Sequence, residues 1–149
     1  MTTIATGGFS NYNESLGFFN SRFIESSAII FILLGSIPFI SYIKFLNGDR
    51  EIFFKDIQIK TFLKIVFFSI VILSIYLNFN GSIEFDFIAV LFNVISILTG
   101  TGYVNAQFDS WGSFALVLFL ILMFIGGCAG STTCGVKIFR TVSYTHLTL

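Results

Sequence analysis

Charge, cysteine, histidine and proline are all scarce in this chain of 149 residues. Eight basic and eight acidic side chains give a formal net charge of zero, so bulk charge indicates no nucleic-acid or other polyanionic partner. The two cysteines, Cys128 and Cys134, both lie in an apolar region, which argues against a disulfide framework, and no Cys/His zinc pattern is present. The N-terminal residues also lack the basic start and apolar core of a secretory signal peptide.

Apolar residues dominate instead. Hydrophobic residues make up 55% of the chain, with 21 phenylalanines and a mean hydropathy of +0.91, which is typical of a membrane protein. The charges leave four uncharged windows, at residues 26–43, 65–83, 87–108 and 110–136. About 20 helical residues cross a bilayer core. The first two windows therefore predict transmembrane helices, with Pro38 as a candidate kink.

The third window is different, because "FIAVLFNVISIL" at residues 87–98 is apolar for about 12 residues before "TGTGY" interrupts it. A helix of that length reaches only about 18 Å. Basic residues cluster between the first two windows and are absent from residues 65–136, so the loop between those windows is predicted to be cytoplasmic. Lys137 and Arg140 reach the same face only if the third window enters the membrane and returns.

Non-helical backbone at mid-membrane depth is tolerated where it is buried in protein or lines a watery cavity. A pore is therefore predicted beside the segment Thr99, Gly100, Thr101, Gly102 and Tyr103. Its glycines allow successive carbonyls to turn toward one axis. Such carbonyls can replace the hydration shell of a monovalent cation. The alternative is an ordinary glycine-rich turn between two helices.

An internal repeat favours the filter. Placing "ATGGFSNYNES", residues 5–15, over "TGTGYVNAQFD", residues 99–109, aligns Gly8 with Gly102 and Phe9 with Tyr103. Each copy is followed by a short polar stretch and a long apolar helix, as in a repeated helix, re-entrant loop, helix unit. We call Thr6, Gly7, Gly8 and Phe9 the N-terminal filter segment and residues 99–103 the central filter segment. The predicted fold is an all-α membrane protein of potassium-channel-like units, present as an incomplete set.

The stretches "ATGGFSNYNESLGFFNS", "TGTGY" and "LMFIGGCAGSTTCGVKIFR" closely resemble the Trk/Ktr/HKT superfamily of potassium transporters, and specifically the TrkH-like membrane subunit. The resemblance covers residues 1–141. It implies four membrane-pore-membrane repeats around one potassium path, of which this chain would supply the filter loop and outer helix of the second and all of the third. It also implies a bacterial inner-membrane, multi-pass protein, a homodimer of full-length chains, and a cytoplasmic nucleotide-binding regulatory subunit of TrkA or KtrA type.

The same resemblance implies that the small-residue stretch is a gate loop beneath the filter. This gate loop consists of Gly126, Gly127, Cys128, Ala129, Gly130, Ser131, Thr132, Thr133, Cys134 and Gly135. Glycine lowers helix stability by about 1 kcal/mol relative to alanine, so a helix breaks easily here. The alternative is that these residues allow close helix packing. A phosphate-binding loop does not fit, because Lys137 follows Val136 and precedes Ile138, and a metal site from the two cysteines lacks further ligands.

The expected organisation follows from these points. It comprises a filter loop (1–17), a transmembrane helix (18–46), a cytoplasmic loop (47–60), a second transmembrane helix (61–80), a re-entrant pore helix and filter (84–105), and a broken transmembrane helix (112–140). Residues 142–149 are expected to be a non-native tail, because "VSYTHL" can be encoded by a transposon-based sequencing adapter; a natural polar tail is the alternative.

The expected function is potassium uptake through the filter and gate, with potassium as the transported ion, no cofactor in this chain and no enzymatic activity. A structural or assembly membrane subunit is the competing function.

Overall fold

The structure is a computed structural model that describes residues 2–12, 15–19, 21–48, 51, 53, 56–80, 86–106 and 108–138. Within the described residues the α-helices are α1 Arg22–Ser36, α2 Phe39–Leu46, α3 Ile57–Asn80, α4 Phe87–Leu98 and α5 Ser113–Phe124. Short 3-10 helices occupy Ser15–Phe19 and Phe108–Trp111. Over these described ranges the only β-type pairing is an isolated bridge between Ile125 and Val136, so the predicted all-α class is confirmed.

Helix α4 is the centre of the fold. It packs against α1, α3 and α5, and Phe92, Val94 and Ile95 on it are almost wholly buried. An apolar helix that is covered on all sides belongs in a protein core rather than at a lipid surface. The filter segment that follows α4 therefore starts from the most firmly held element of the fold.

Side-chain caps mark the starts of two helices. The Asp86 carboxylate accepts a 3.0 Å hydrogen bond from the Ile88 amide at the start of α4. The Asp56 carboxylate accepts a 2.9 Å bond from the Gln58 amide at the start of α3. Because each carboxylate satisfies an otherwise unpaired N–H, α3 begins at Ile57, inside the range 47–60 that the sequence assigned to a cytoplasmic loop.

The first apolar window forms two helices rather than one. Helices α1 and α2 meet at an angle of 88° across the break at Ile37 and Pro38. Proline disfavours helical backbone in the residue before it, and Ile37 is extended, with φ −85° and ψ 145°. The range 18–46, expected as a single kinked transmembrane helix, is divided at this proline.

The outer faces of the helices are strongly apolar. Helix α3 contains a 23-residue stretch, Ile57–Phe79, that is long and apolar enough to cross a membrane, and the bent pair α1 and α2 could form a second span. Only 33% of the most apolar window of α3 is buried. Phe67, Phe68 and Phe79 on it are well exposed. A mostly uncovered apolar helix is what a bilayer or neighbouring membrane helices would cover.

Candidate functional site

The central filter segment leaves α4 with side chains and glycines on opposite sides. The three side chains at Thr99, Thr101 and Tyr103 are buried, whereas Gly100 and Gly102 between them are exposed. Both glycines have positive φ, 71° and 81°, a conformation that side-chain-bearing residues rarely adopt. Alternation of this kind turns the side chains into the protein and leaves the backbone facing open space.

The N-terminal filter segment repeats this backbone pattern. Gly8 has φ +65° and Thr6 has φ +47°, and the internal repeat aligns these two residues with Gly102 and Gly100. Thr6 is only 3% exposed. Phe9, in contrast, is 80% exposed, whereas its counterpart Tyr103 is 4% exposed. The two segments therefore share a backbone conformation but differ in how their aromatic rings are covered.

The two filter segments lie directly against each other. A Cβ atom added to Gly8 would overlap the carbonyl oxygen of Thr101, so that oxygen points at the N-terminal segment. The Tyr103 hydroxyl hydrogen-bonds with the Thr2 hydroxyl and donates a long, 3.4 Å bond to the Phe9 carbonyl. The structure thus brings together the two segments, which are more than 90 residues apart in the chain.

Polar side chains of α4 hold the central segment in place. The Ser96 hydroxyl donates a 2.7 Å bond to the Tyr103 carbonyl, and the Ser96 carbonyl accepts bonds from the amides of Thr101 and Gly102, at 2.9 and 3.3 Å. The side-chain amide of Asn93 donates a 2.9 Å hydrogen bond to the side-chain oxygen of Asn105. These buried bonds fix the backbone of the segment on both sides of Gly102.

The gate loop is a compact non-helical loop. Helix α5 ends at Phe124, and the amide of Gly126 donates to the Val136 carbonyl at 2.9 Å, which closes the loop at its base. Added Cβ atoms at Gly126 would meet the Cys134 carbonyl oxygen and those at Gly127 the Thr133 hydroxyl. Because the loop is not helical, its small residues serve close approach within the loop, and helix-helix packing does not describe them.

The side chains and amides of the gate loop connect it to four other elements. The Cys134 amide donates to the Thr99 carbonyl at 3.3 Å, and the Thr6 hydroxyl donates to the Thr132 carbonyl at 2.9 Å. The Gly130 carbonyl accepts from the Phe39 amide, and the Ala129 amide donates to the Gln58 side chain at 3.1 Å. The loop therefore contacts both filter segments, the break between α1 and α2, and the start of α3.

The remaining predicted gate residues stabilise the loop internally. Ser131 donates to the Cys128 carbonyl at 2.6 Å and hydrogen-bonds with Thr133 at 2.8 Å. Lys137 donates to the carbonyl and hydroxyl of Thr133. Cys128 is fully buried and Cys134 is exposed, and both are free thiols. Arg140 and residues 142–149 lie outside the described residues.

Glycine backbone, one thiol and apolar side chains line the space beside the central segment. An open cavity of about 660 Å³ beside the central segment is lined by Gly100, Gly102 and Cys134, together with apolar residues of α5. Among the residues that the structure describes, no three His, Cys, Asp or Glu side chains gather in a way that could hold a metal ion. Backbone carbonyl oxygens, as in a selectivity filter, can replace the hydration shell of a monovalent cation.

Three residues that hydrogen-bond to the filter segment or the gate loop were not singled out from the sequence. Asn93 and Ser96 are polar positions inside an apolar helix, and that interruption was a usable signal because buried polar groups need hydrogen-bond partners. Gln58 lies in the range assigned to a cytoplasmic loop, and nothing in the local sequence distinguishes it. Its contact with Ala129 spans 71 residues, so only the tertiary structure reveals it.

Comparison with known proteins gives consistent matches over almost the whole chain. The family model TrkH, described as a cation transport protein, matches residues 1–148. The Trk system potassium uptake protein TrkI of Halomonas elongata is 39% identical over 142 residues, which are 94% of this chain and 29% of that protein. Trk system potassium uptake protein TrkH of Vibrio parahaemolyticus is 33% identical over 150 residues, covering 97% of this chain and 31% of that protein.

The crystal structure of the potassium transporter TrkH from Vibrio parahaemolyticus has the same fold. Its TM-score is 0.90 at 33% identity, with 97% of this chain and 32% of that chain covered. The chain thus spans about three tenths of the length of the curated relatives that it matches.

Proposed function

Because the chain belongs to the TrkH family of cation transport proteins, we propose that it forms part of a potassium pathway through the bacterial cytoplasmic membrane. The resemblance seen in the sequence is confirmed by this membership. The similar proteins TrkI and TrkH are potassium uptake proteins, which supports potassium as the transported ion. The chain would then supply two of four filter strands, from the second and third repeats of the longer polypeptide.

The observation that carries the proposal is the matched backbone of the two filter segments. Positive φ recurs at Thr6 and Gly8 and at Gly100 and Gly102, at positions that the internal repeat aligns. In this proposal the two segments, which share this conformation and lie against each other, present carbonyl oxygens to one path. A dehydrating potassium ion exchanges water for such oxygens, and the negative end of α4, which points at the central segment, favours a cation there.

The gate loop supports transport under control rather than a permanently open path. It lies against both filter segments through Thr132 and Cys134, so a cation leaving the filters meets it. We propose that a cytoplasmic nucleotide-binding subunit of TrkA or KtrA type moves this loop. In this proposal full-length chains form a homodimer, the protein crosses the inner membrane several times, and it carries out no covalent chemistry and needs no cofactor.

The test compares two glycines that differ only in location. Gly102 and Gly48 both have positive φ, 81° and 106°, and an added Cβ atom would meet nothing within 4 Å at either. Gly102→Ala and Gly48→Ala are made in the full-length polypeptide and expressed in bacteria that lack other potassium uptake.

Gly102→Ala should lower the preference for potassium over sodium by about fivefold or more, because left-handed backbone costs an L-residue about 1–2 kcal/mol. Gly48→Ala should leave uptake and selectivity unchanged. Equal behaviour of the two variants would remove the filter role and favour a structural or assembly subunit.

A further inference from the structure

Thr6 holds a backbone conformation that its counterpart reaches without strain. At the aligned position the central segment has Gly100 with φ +71°, whereas the N-terminal segment has Thr6 with φ +47°. A β-branched residue with positive φ is an outlier, and such strain persists only where the surroundings enforce it. Something outside the N-terminal segment must therefore hold Thr6.

The gate loop supplies that support. The Thr6 hydroxyl lies 2.9 Å from the Thr132 carbonyl and 2.9 Å from the Ala5 carbonyl, and can donate to either. The Thr132 hydroxyl lies 3.0 Å from the carbonyls of Ile4 and Gly35, and the Thr132 amide donates to Gly35 at 3.2 Å. Thr132 thus contacts the chain on both sides of Ala5, and it also hydrogen-bonds to Gly35 at the end of α1.

We propose that Thr132 is a positioning residue that sets ion selectivity through Thr6, so that the gate loop and the N-terminal filter segment change conformation together. The inference rests on the proposed function. When the loop moves, Thr6 loses the acceptor outside its own segment, and the strained backbone relaxes. The central segment is coupled less tightly, because Gly100 is unstrained. Its contacts with the gate loop are through Cys134, whose amide donates to the Thr99 carbonyl at 3.3 Å and whose Cβ atom lies beside Gly100.

Thr132→Val in the full-length polypeptide keeps the side-chain shape but removes the hydroxyl, and with it the bonds to Ile4 and Gly35 that hold the Thr132 carbonyl opposite the Thr6 hydroxyl. Potassium and sodium fluxes are measured in proteoliposomes without the regulatory subunit. The potassium-to-sodium ratio should fall roughly two- to tenfold, the range of one neutral hydrogen bond, and total flux should rise. Thr132→Ser keeps the hydroxyl and should retain the wild-type ratio.

Thr61→Val is the matched control, because the Thr61 hydroxyl donates only within its own helix, to Ile57 at 2.8 Å. It should change neither flux nor ratio. A higher flux at an unchanged ratio in Thr132→Val would show that Thr132 holds the gate loop closed without affecting selectivity, which would overturn the proposal. No change in either quantity would overturn it as well. Absence of potassium flux in the wild type both with and without the regulatory subunit would instead contradict the proposed function.

A second background keeps the test decisive if Thr132→Val folds poorly. Thr6→Gly reproduces the residue type of Gly100, which adopts positive φ without strain. In that background Thr132→Val and Thr132→Ser should give the same ratio, because the segment no longer needs the gate loop. An equal effect of Thr132→Val in both backgrounds, that is an additive double-mutant cycle, would show that Thr132 does not act through Thr6.

Discussion

The two filter segments reach one backbone conformation by different means. Gly100 and Gly102 adopt positive φ because they lack a Cβ atom, and Gly102 has open space around it. Gly8 has both a positive φ and the Thr101 carbonyl oxygen against it. Glycine is therefore required at Gly102 for backbone freedom alone, and at Gly8 for freedom and for contact between the segments.

This difference predicts unequal effects of the same substitution. Gly102→Ala in the full-length protein should cost about 1–2 kcal/mol in the left-handed conformation and leave the fold intact. Gly8→Ala should cost more, by about 1–3 kcal/mol as for overpacking, because its methyl group displaces the Thr101 carbonyl. Thermal unfolding of the detergent-solubilised protein measures both. A Gly8→Ala protein as stable as Gly102→Ala would contradict the contact between the segments.

At the scale of elements, the break between α1 and α2 and the gate loop complete each other. A broken helix leaves backbone groups without partners, and these are costly away from water. Here the Gly35 carbonyl accepts from Thr132 and the Phe39 amide donates to Gly130. The loop is thus part of the packing that allows the chain to turn by 88° at Pro38.

Deletion of residues 126–130 should open the path. It removes the Gly130 carbonyl and the Ala129 amide, and with them the attachments to Phe39 and Gln58. Loss of about 1.4 kcal/mol of closed-state stability shifts the closed-to-open ratio tenfold, so potassium flux without the regulator should rise by about tenfold or more. Flux in proteoliposomes is the measurement.

Gln58→Leu is a milder test of the same attachment, since it removes only the acceptor of the Ala129 amide, whereas Gln58→Glu keeps an acceptor at that position. We expect a smaller rise in flux for Gln58→Leu than for the deletion, and a lesser change again for Gln58→Glu.

Unchanged flux after deletion of residues 126–130 would show that the gate loop does not obstruct ions.

At the scale of the whole molecule, much of the apolar surface of the described fold is exposed. Phe9 of the N-terminal segment is 80% exposed. The open cavity of about 660 Å³ lies beside the central segment. The chain spans about three tenths of its curated relatives. Both open sites border the filter segments, where we propose that the other repeats of the longer polypeptide pack.

This arrangement predicts that the 149-residue chain alone does not conduct. Two filter segments coordinate a cation from one side only, and the desolvation of the ion is then not compensated. The chain reconstituted in lipid vesicles should show no potassium flux above empty vesicles, while the full-length polypeptide should. Potassium-selective flux from the short chain would contradict a path that needs four segments.

The sequence by itself determined the class and the family of the protein. Fold class and family membership, both confirmed, depend on properties that are local in the chain: long uncharged windows, a short apolar run ending at "TGTGY", and a small-residue stretch before Lys137. Local composition decides where a helix can form and where glycine lets the backbone turn. The filter assignment came from these patterns and the gate assignment from the family resemblance, and both remain predictions that the experiments above test.

Only the tertiary structure decided how these parts contact each other. The hydrogen bond between Thr6 and Thr132 joins residues that are 126 positions apart. The bond between Gln58 and Ala129 joins residues that are 71 positions apart. The bend at Pro38 became a full break because the gate loop is present to bind the freed backbone groups. Hydrogen bonds between distant segments depend on how the helices pack around α4, and no periodicity or composition along the chain encodes that geometry directly.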